Sequence, residues 1–311
     1  MKSKTISFVT PCFNEELNVR DLFVAVKKVM NDLPYDYEHI FIDNASNDNT
    51  VKILKELAIE SKNLRIIINT RNFGHVRSPF YGILQTSGDA CILISADFQD
   101  PPEMIPQFIE KWEQGFNIVL AKKVLSEEHS LMFHLRNSYY VFLNKISEIP
   151  LTENCTGYGI LDQKVVNILR QLDSPYPYLR GLLCEIGFPI SLIPFNQPQR
   201  KKGKSKNNFY SLYDSAMSGI VNHSKLPLRI MAIGGFILSF LSLLVAILFI
   251  IAKLLFWNSF SFGIAPILIG IFFFGSLQAF FIGVVGEYIG SIYTQVRKLP
   301  LVTEAERINF D

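Results

Sequence analysis

Two long apolar runs near the C-terminus constrain this chain more than any other feature. Residues 231–252 form an uncharged stretch of 22, and residues 262–286 one of 25 with Gln278 as its large polar side chain. Each exceeds the roughly 20 residues a helix needs to cross a bilayer core of about 30 Å. A soluble core helix rarely reaches this length and composition twice in succession. The connector 253–261 is short and carries one charge, Lys253, so the pair reads as a helical hairpin. Lys225 and Arg229 precede it, and Arg297, Lys298 and Arg307 follow it. The positive-inside rule then predicts two spans in the cytoplasmic membrane with both termini cytoplasmic. The first ten residues lead into a strand-like run without a long apolar segment, so no cleaved leader is expected.

Composition agrees. The chain is 49% hydrophobic and 19% charged, where a soluble domain carries about 25% charged residues. A net charge of +2 is too balanced for a general nucleic-acid binder, so no nucleic-acid partner is expected. Cys12, Cys91, Cys155 and Cys184 are scattered, which reads as reduced core thiols rather than a disulfide framework or zinc site. Gly234, Gly235, Gly270, Gly275, Gly283 and Gly286 would let spans pack closely, and a homo-oligomer is one outcome of that.

Ahead of the first run, residues 207–223 place Phe209, Leu212, Tyr213, Ala216, Met217 and Ile220 at helical spacing. Two readings stay open, a helix packed on its own domain and an interfacial helix on the membrane. Just before it, Arg200, Lys201, Lys202, Lys204 and Lys206 put five cations within seven residues. Such a run is a solvated face, a contact with anionic lipid, or a site for a lipid phosphate.

The N-terminal part alternates apolar runs with amphipathic segments. Strands are expected at 5–10, 38–42, 64–68, 90–94 and 117–121, and helices at 18–31, 49–60 and 102–114. That alternation predicts βαβ units and a mostly parallel sheet, with ligands at the carboxyl ends of the strands. The polar residues there are Asn14, Glu15 and Glu16; Asp43, Asn44, Ser46, Asn47 and Asp48; Asn69, Arg71, Asn72 and His75; and Ser95, Asp97, Gln99 and Asp100. Neither G-x-G-x-x-G nor a Walker-type G-K-[ST] is present, which disfavours a dinucleotide oxidoreductase or a P-loop NTPase. Asp48 and Asp100 read as helix N-caps. Asp97 and Gln99 follow a strand in alternation, so both side chains are expected on one side, as hard ligands for Mg²⁺ or Mn²⁺ carried with a diphosphate.

The stretches P-C-F-N-E-E (11–16), I-D-N-A-S-N-D-N-T (42–50), R-N-F-G-H (71–75) and S-A-D-F-Q-D-P-P-E (95–103) resemble, in order, the motifs of family-2 glycosyltransferases with a GT-A fold. The similarity continues through P-Q-R-K-K-G-K-S-K (198–206), L-P-L-R (226–229) and G-E-Y-I-G-S-I-Y (286–293). It is greatest to the polyprenyl-phosphate glycosyltransferases, such as dolichol-phosphate mannose synthases and undecaprenyl-phosphate glucosyltransferases. The resemblance implies an α/β GT-A nucleotide-sugar-binding domain at 1–206 and an amphipathic juxtamembrane helix at 207–228. A two-helix transmembrane hairpin at 229–290 and a cytosolic tail at 291–311 complete the chain.

It further implies that Pro11, Asn14, Glu15, Asp43, Arg71, Ser95 and Ala96 line the nucleotide pocket and that Asp97 and Gln99 hold the metal. Asp97 and Arg136 would act in catalysis, and Arg136, Arg200, Lys201, Lys204 and Lys206 would bind the phosphates of donor or lipid acceptor. The implied reaction transfers one sugar, with inversion, from a nucleotide-diphosphate donor to polyprenyl phosphate at the membrane surface.

The chain departs from the family pattern in three places. Ser95 and Asn44 stand where relatives carry Asp, and T-G-Y-G-I-L-D (156–162) replaces G-D-F-R-L-L-D, so Gly157 and Gly159 take the places of an Asp and an Arg. A hydroxyl acceptor needs a general base to remove its proton. A phosphate monoester, with a second ionisation near pH 6, is already anionic and attacks without one. The loss at Gly157 therefore argues against a lipid or polysaccharide hydroxyl acceptor. A non-catalytic nucleotide-sugar-binding scaffold is the other alternative, with retained Asp97, Gln99 and the basic run against it. Glu153 and Asp162 are candidates for orienting the donor sugar.

Overall fold

The structure is a computed structural model that describes residues 4–125, 155–172, 174–198, Met217, 224–255 and 264–310. Its elements in chain order are β1 (Thr5–Cys12), α1 (Val19–Asn31), β2 (Asp36–Asp43), α2 (Thr50–Glu60), β3 (Leu64–Asn69), α3 (Gly74–Leu84) and β4 (Ala90–Leu93). A 3₁₀ turn, Pro102–Met104, runs into α4 (Ile105–Glu113), followed by β5 (Ile118–Leu125), β6 (Cys155–Asp162), α5 (Gln163–Gln171), α6 (Leu179–Glu185) and β7 (Ile190–Asn196). Two long helices, α7 (Leu226–Leu255) and α8 (Ile264–Val296), precede a final strand, β8 (Glu304–Ile308).

The strands make one eight-stranded sheet in the order β7-β5-β6-β4-β1-β2-β3-β8. β1 pairs in parallel with β2 and β4, β2 with β3, and β5 with β7, while β6 and β8 run antiparallel to their neighbours. Alternation along each strand builds two cores. Ile6, Phe8, Phe41 and Ile66 face the layer of α1, α2 and α4. Val9, Ile40, Ile42 and Ile67 face the layer of α3, α5 and α6. A central strand buried on both sides must be apolar at successive positions, which is why these runs read so clearly in the sequence. α1 shows the helical counterpart: Val19, Leu22, Phe23, Val26 and Met30 recur on one stripe and are buried against the sheet.

The expected βαβ order and mostly parallel sheet are observed, with strand ends moved by one to four residues. Three corrections follow. The expected helix 102–114 opens as a 3₁₀ turn: Ile105 N–H bonds the Pro102 carbonyl, and Pro106 has no N–H to make the α-helical bond to it. β4 ends at Leu93, so Asp97 and Gln99 lie in a turn with Phe98 at φ 62°, and strand alternation does not orient them. The segment 291–311 is not a simple tail: α8 extends to Val296, and β8 then returns to pair with β3 through Ile66–Ile308 and Ile67–Arg307.

α7 and α8 contain 30 and 33 residues, about 45 and 50 Å at 1.5 Å per residue. Among the described residues, one helical stretch, Phe273–Val296, is long and apolar enough to cross a membrane, and α7 contributes the shorter apolar stretch Leu226–Leu238. Large side chains along both helices, including Phe236, Phe240 and Phe280, are exposed. Tyr288 Oη donates to the Ser224 carbonyl at 2.7 Å, tying α8 to the start of α7. The four cysteines are free thiols, as expected, with Cys12, Cys91 and Cys155 buried. The basic run at 200–206 and the amphipathic stretch 207–223, Met217 apart, lie outside the described residues.

Candidate active site

Because β1, β2 and β4 run in parallel, the loops that follow them emerge on one edge of the sheet. The antiparallel β6 brings its opposite end there: Gly159 pairs with Leu93, so Gly157 stands beside the end of β4. A cavity of about 290 Å³ opens at this edge. Pro11, Ser95 and Asp100 form one side, Gly157 and Tyr158 the floor of β6, and His75 the start of α3. Tyr176, Tyr178 and Arg180, around the start of α6, close it from the far side.

The loops after β1 and β2 are laced together. Asn14, at φ 55°, donates its backbone N–H to Ser46 Oγ at 2.8 Å, and its side-chain oxygen accepts from Asn47 N at 2.8 Å. Glu15 N donates to Thr50 Oγ1 at 2.9 Å, and a Glu15 oxygen accepts from Asn18 Nδ2 at 2.6 Å. Asp43 is fully buried and accepts from Ser46 N at 2.9 Å. Burial raises its pKa, with the Ser46 hydrogen bonds acting in the opposite sense. Asp48 does meet the first turn of α2, accepting from Thr50 N at 3.0 Å.

Asn44 supports the third loop. Its side-chain oxygen accepts from Asn69 Nδ2 at 3.0 Å and Phe73 N at 3.1 Å, and its amide donates to the Gly74 carbonyl at 3.2 Å. A carboxylate could not make that last bond, which gives a physical reason for the amide here. Arg71 is exposed, with its guanidinium 4.0 Å from the Phe73 ring centroid.

The fourth loop carries the metal-ligand candidates. Gln99 N donates to Asp97 Oδ1 at 3.1 Å, closing a turn that carries both residues. Both are partly exposed, whereas Ala96 is buried in the core. Asp100 corrects an expectation. It does not cap the following helix, whose N-cap position is Pro101 and which has no side-chain cap. It turns back instead, accepting from Ser95 N at 2.9 Å and from the Ser95 hydroxyl. Burial pushes its pKa up to about 6 against those bonds. No group of three or more His, Cys, Asp or Glu side chains forms a metal cage among the described residues. Asp97 with Gln99 offers hard oxygen donors from one short turn, a set that fits Mg²⁺ or Mn²⁺ completed by substrate phosphates and water.

Asp162 is a second correction. It lies at the other end of β6, paired with Ala90, where its oxygens accept from Lys164 N at 2.8 Å and Trp112 Nε1 at 2.7 Å. It caps α5 and is remote from the sugar site. Of the expected residues, Pro11 and Ser95 line the cavity, and Asn14, Glu15, Asp43, Arg71, Ala96, Asp97 and Gln99 sit on the loops around it. Arg136, Glu153, Arg200, Lys201, Lys204 and Lys206 lie outside the described residues. Tyr176, Tyr178 and Arg180 were not anticipated. Arg180 donates to the Cys155 carbonyl at 2.9 Å and stands 5.3 Å from the Tyr178 ring centroid.

The sequence profile of glycosyl transferase family 2 matches residues 7–168, the segment that builds this edge. The chain belongs to glycosyl transferase family 2. As a family 2 glycosyltransferase it is 35% identical over 296 residues to the bactoprenol glucosyl transferase of Shigella phage SfII, covering 95% of this chain and 96% of the relative. It is 32% identical over 296 residues to the prophage bactoprenol glucosyl transferase homolog of Escherichia coli K12, covering 95% and 96%. The glycosyltransferase also shares its fold with glucosyl-3-phosphoglycerate synthase of Mycobacterium tuberculosis, solved with Mn²⁺, UDP-glucose and phosphoglyceric acid. That match has a TM-score of 0.50 at 18% identity and covers 70% of this chain and 78% of the other.

Proposed function

We propose that this glycosyltransferase moves a sugar, glucosyl by the names of its relatives, from a nucleoside-diphosphate donor to polyprenyl phosphate at the membrane surface. The observation that carries this reading is the reach of the bactoprenol glucosyl transferase similarity: it spans 95% of the chain, a length that must take in both apolar helices as well as the sheet. In this reading α7 and α8 cross the bilayer as a hairpin. Its support is that α7 follows the domain while β8 returns from α8 to the same sheet, so both outer helix ends sit on the domain's side.

Pro11, Asn14, Glu15, Asp43, Arg71, Ser95 and the Ala96 backbone would hold base and ribose. Asp97 and Gln99 would hold a divalent metal on the diphosphate, as Mn²⁺ accompanies UDP-glucose in the mycobacterial synthase of the same fold. Held by Asp97 and Gln99, such a metal would supply positive charge to the diphosphate leaving group. Arg136 and the 200–206 run would take up the remaining phosphate charge. Gly157 lines the cleft without a carboxylate of its own, which suits an acceptor whose oxygen is already anionic.

The test is transfer by the purified full chain in detergent, with undecaprenyl phosphate, Mn²⁺ or Mg²⁺ and a panel of labelled nucleotide sugars. Labelled lipid that disappears with chelator and with Asp97→Ala is expected. Sugar appearing only on a hydroxyl acceptor, or no lipid product from any donor, overturns the reading.

A further inference from the structure

α3 presents one side to the sugar cleft and the other to the C-terminal segment. His75, Val76, Pro79 and Phe80 line the cleft. Arg77, Tyr81 and Gln85, spaced i, i+4 and i+8, fall on the opposite side at about 100° per residue. They meet the chain that returns from α8 towards β8. Arg77 donates to the Pro300 carbonyl. Arg307 Nη2 donates to Gln85 Oε1 at 2.9 Å and to Tyr81 Oη at 3.4 Å. Glu304 holds that guanidinium in place, accepting from Nη2 at 2.6 Å and from Nε at 3.0 Å.

The helix depends on such ties because Pro79 divides it. Proline has no N–H for the His75 carbonyl, so the turn facing the cleft is joined to the rest of α3 by fewer bonds than a regular helix supplies. The later half is fixed by packing: a Cβ on Gly82 would lie 2.6 Å from Val9 Cγ1 of β1. The first turn has no side-chain cap. It is held from outside, by Asn44 at the Gly74 carbonyl and by the tie from Arg77 to Pro300.

Resting on the reading of this cleft as the nucleotide-sugar site, we infer that residues 300–307 are a strap that positions α3, and with it the cleft wall that α3 supplies, with Arg307 as the positioning residue. Arg307 stands outside the cleft and acts through Gln85 and Tyr81. Because α8 runs straight into the strap, the placement of the long helices is coupled to nucleotide-sugar binding. The same strand carries its own control: Glu306, next to Arg307, pairs with Lys55 of α2 and does not reach α3.

The experiment follows the full chain in detergent by two measurements. One is hydrogen–deuterium exchange at residues 80–84, whose helical N–H groups bond back to the carbonyls of 76–80. The other is binding of UDP-glucose in the presence of Mn²⁺. Arg307→Ala and Gln85→Ala are each expected to speed exchange there and to weaken UDP-glucose binding about fivefold. Arg307→Lys should recover most of the affinity, and Glu306→Ala should match wild type in both measurements. Unchanged exchange in both α3-side variants overturns the inference. So does faster exchange with unaltered UDP-glucose affinity, which would make the strap a brace without influence on the cleft. Equal effects from Glu306→Ala overturn it as well, since they would mark a general loosening of β8. Faster exchange in Arg307→Ala and Gln85→Ala, in a wild type that binds neither UDP-glucose nor any other nucleotide sugar of a panel, keeps the tie between strap and α3 and removes the proposed function.

Discussion

Ser95 gives two donors, its backbone N–H at 2.9 Å and its hydroxyl, to the same oxygen of Asp100. The pairing bridges the turn that holds Asp97 and Gln99, and it makes sense of a departure from the family pattern. A carboxylate at position 95 would face the Asp100 carboxylate across the same gap, whereas a hydroxyl donates into it. The substitution lowers the negative charge of the loop and satisfies a carboxylate that is only 6% exposed.

That buried carboxylate should leave a pH signature. Burial raises the Asp100 pKa from 3.8 to about 6, so the folded state binds its proton more tightly than the unfolded chain. Stability associated with this group is full below pH 4 and falls as pH rises towards 6, by about 3 kcal/mol. Asp100→Asn keeps an oxygen for Ser95 and removes the charge. Metal-free protein carrying this change should melt several degrees above wild type at pH 8 and match it at pH 4, as read by differential scanning fluorimetry. An identical shift at both values would show that charge burial is not the cause.

Asn44 tests the same logic with the opposite sign. Its amide donates to the Gly74 carbonyl at 3.2 Å while its oxygen accepts from Phe73 N at 3.1 Å. Asn44→Asp turns the donor into an acceptor facing an acceptor, at a cost of about 1–3 kcal/mol. The loss should be greater at pH 8 than at pH 5, because a protonated acid regains a donor. A melting temperature unchanged at pH 8 would mean that the 69–74 loop is held by other contacts.

The two glycines of β6 should separate cleanly. A Cβ at Gly159 would run into the Val119 carbonyl and sit 2.9 Å from Leu120 Cα, both backbone atoms of β5. At Gly157 the nearest atom is Leu93 Cδ2 at 3.9 Å, and the obstacle is only φ +91°. Gly159→Ala should therefore abolish folded protein. Gly157→Ala should fold with a penalty of about 1 kcal/mol. Expression and limited proteolysis of the two variants decide the point, and equal behaviour would refute the close approach of β5 and β6.

What the sequence disclosed follows from the same contacts. β1 to β3 were legible because strands buried on both faces must be apolar residue after residue, as in Ile40, Phe41 and Ile42. α3 was hidden by Pro79 inside it and by a start at Gly74 that lacks a side-chain cap. β6 was masked by Gly157, which holds a positive φ, and by Gly159, which lies in close approach to β5. Asp100 was misread because its partner is Ser95, five residues back across the turn. Tyr176, Tyr178 and Arg180 reach the site through tertiary placement alone, and no local pattern announces that.

β8 is the hardest case, because its sequence, E-A-E-R-I, is charged, and only the antiparallel pairing with β3 makes it a strand. Its attachments differ greatly in strength. The Lys55–Glu306 pair, at 2.6 Å, joins side chains that are 42% and 47% exposed, so Glu306→Ala should cost about 0–1 kcal/mol. Backbone and buried groups bind more firmly: Thr70 N donates to the Thr303 carbonyl at 2.9 Å, Asn309 Nδ2 donates to the Leu64 carbonyl at 2.9 Å, and Val302 is buried. Arg77 also donates to the Pro300 carbonyl, linking this segment to the helix that opens at the sugar cleft. A chain ending at residue 299 should expose the Ile66–Asn69 edge as a template for aggregation. It should elute as aggregate in size-exclusion chromatography, while Glu306→Ala elutes as wild type. A shortened chain with normal elution, melting temperature and nucleotide-sugar binding would mean that β3 needs no cover and that the last strand does not support the cleft.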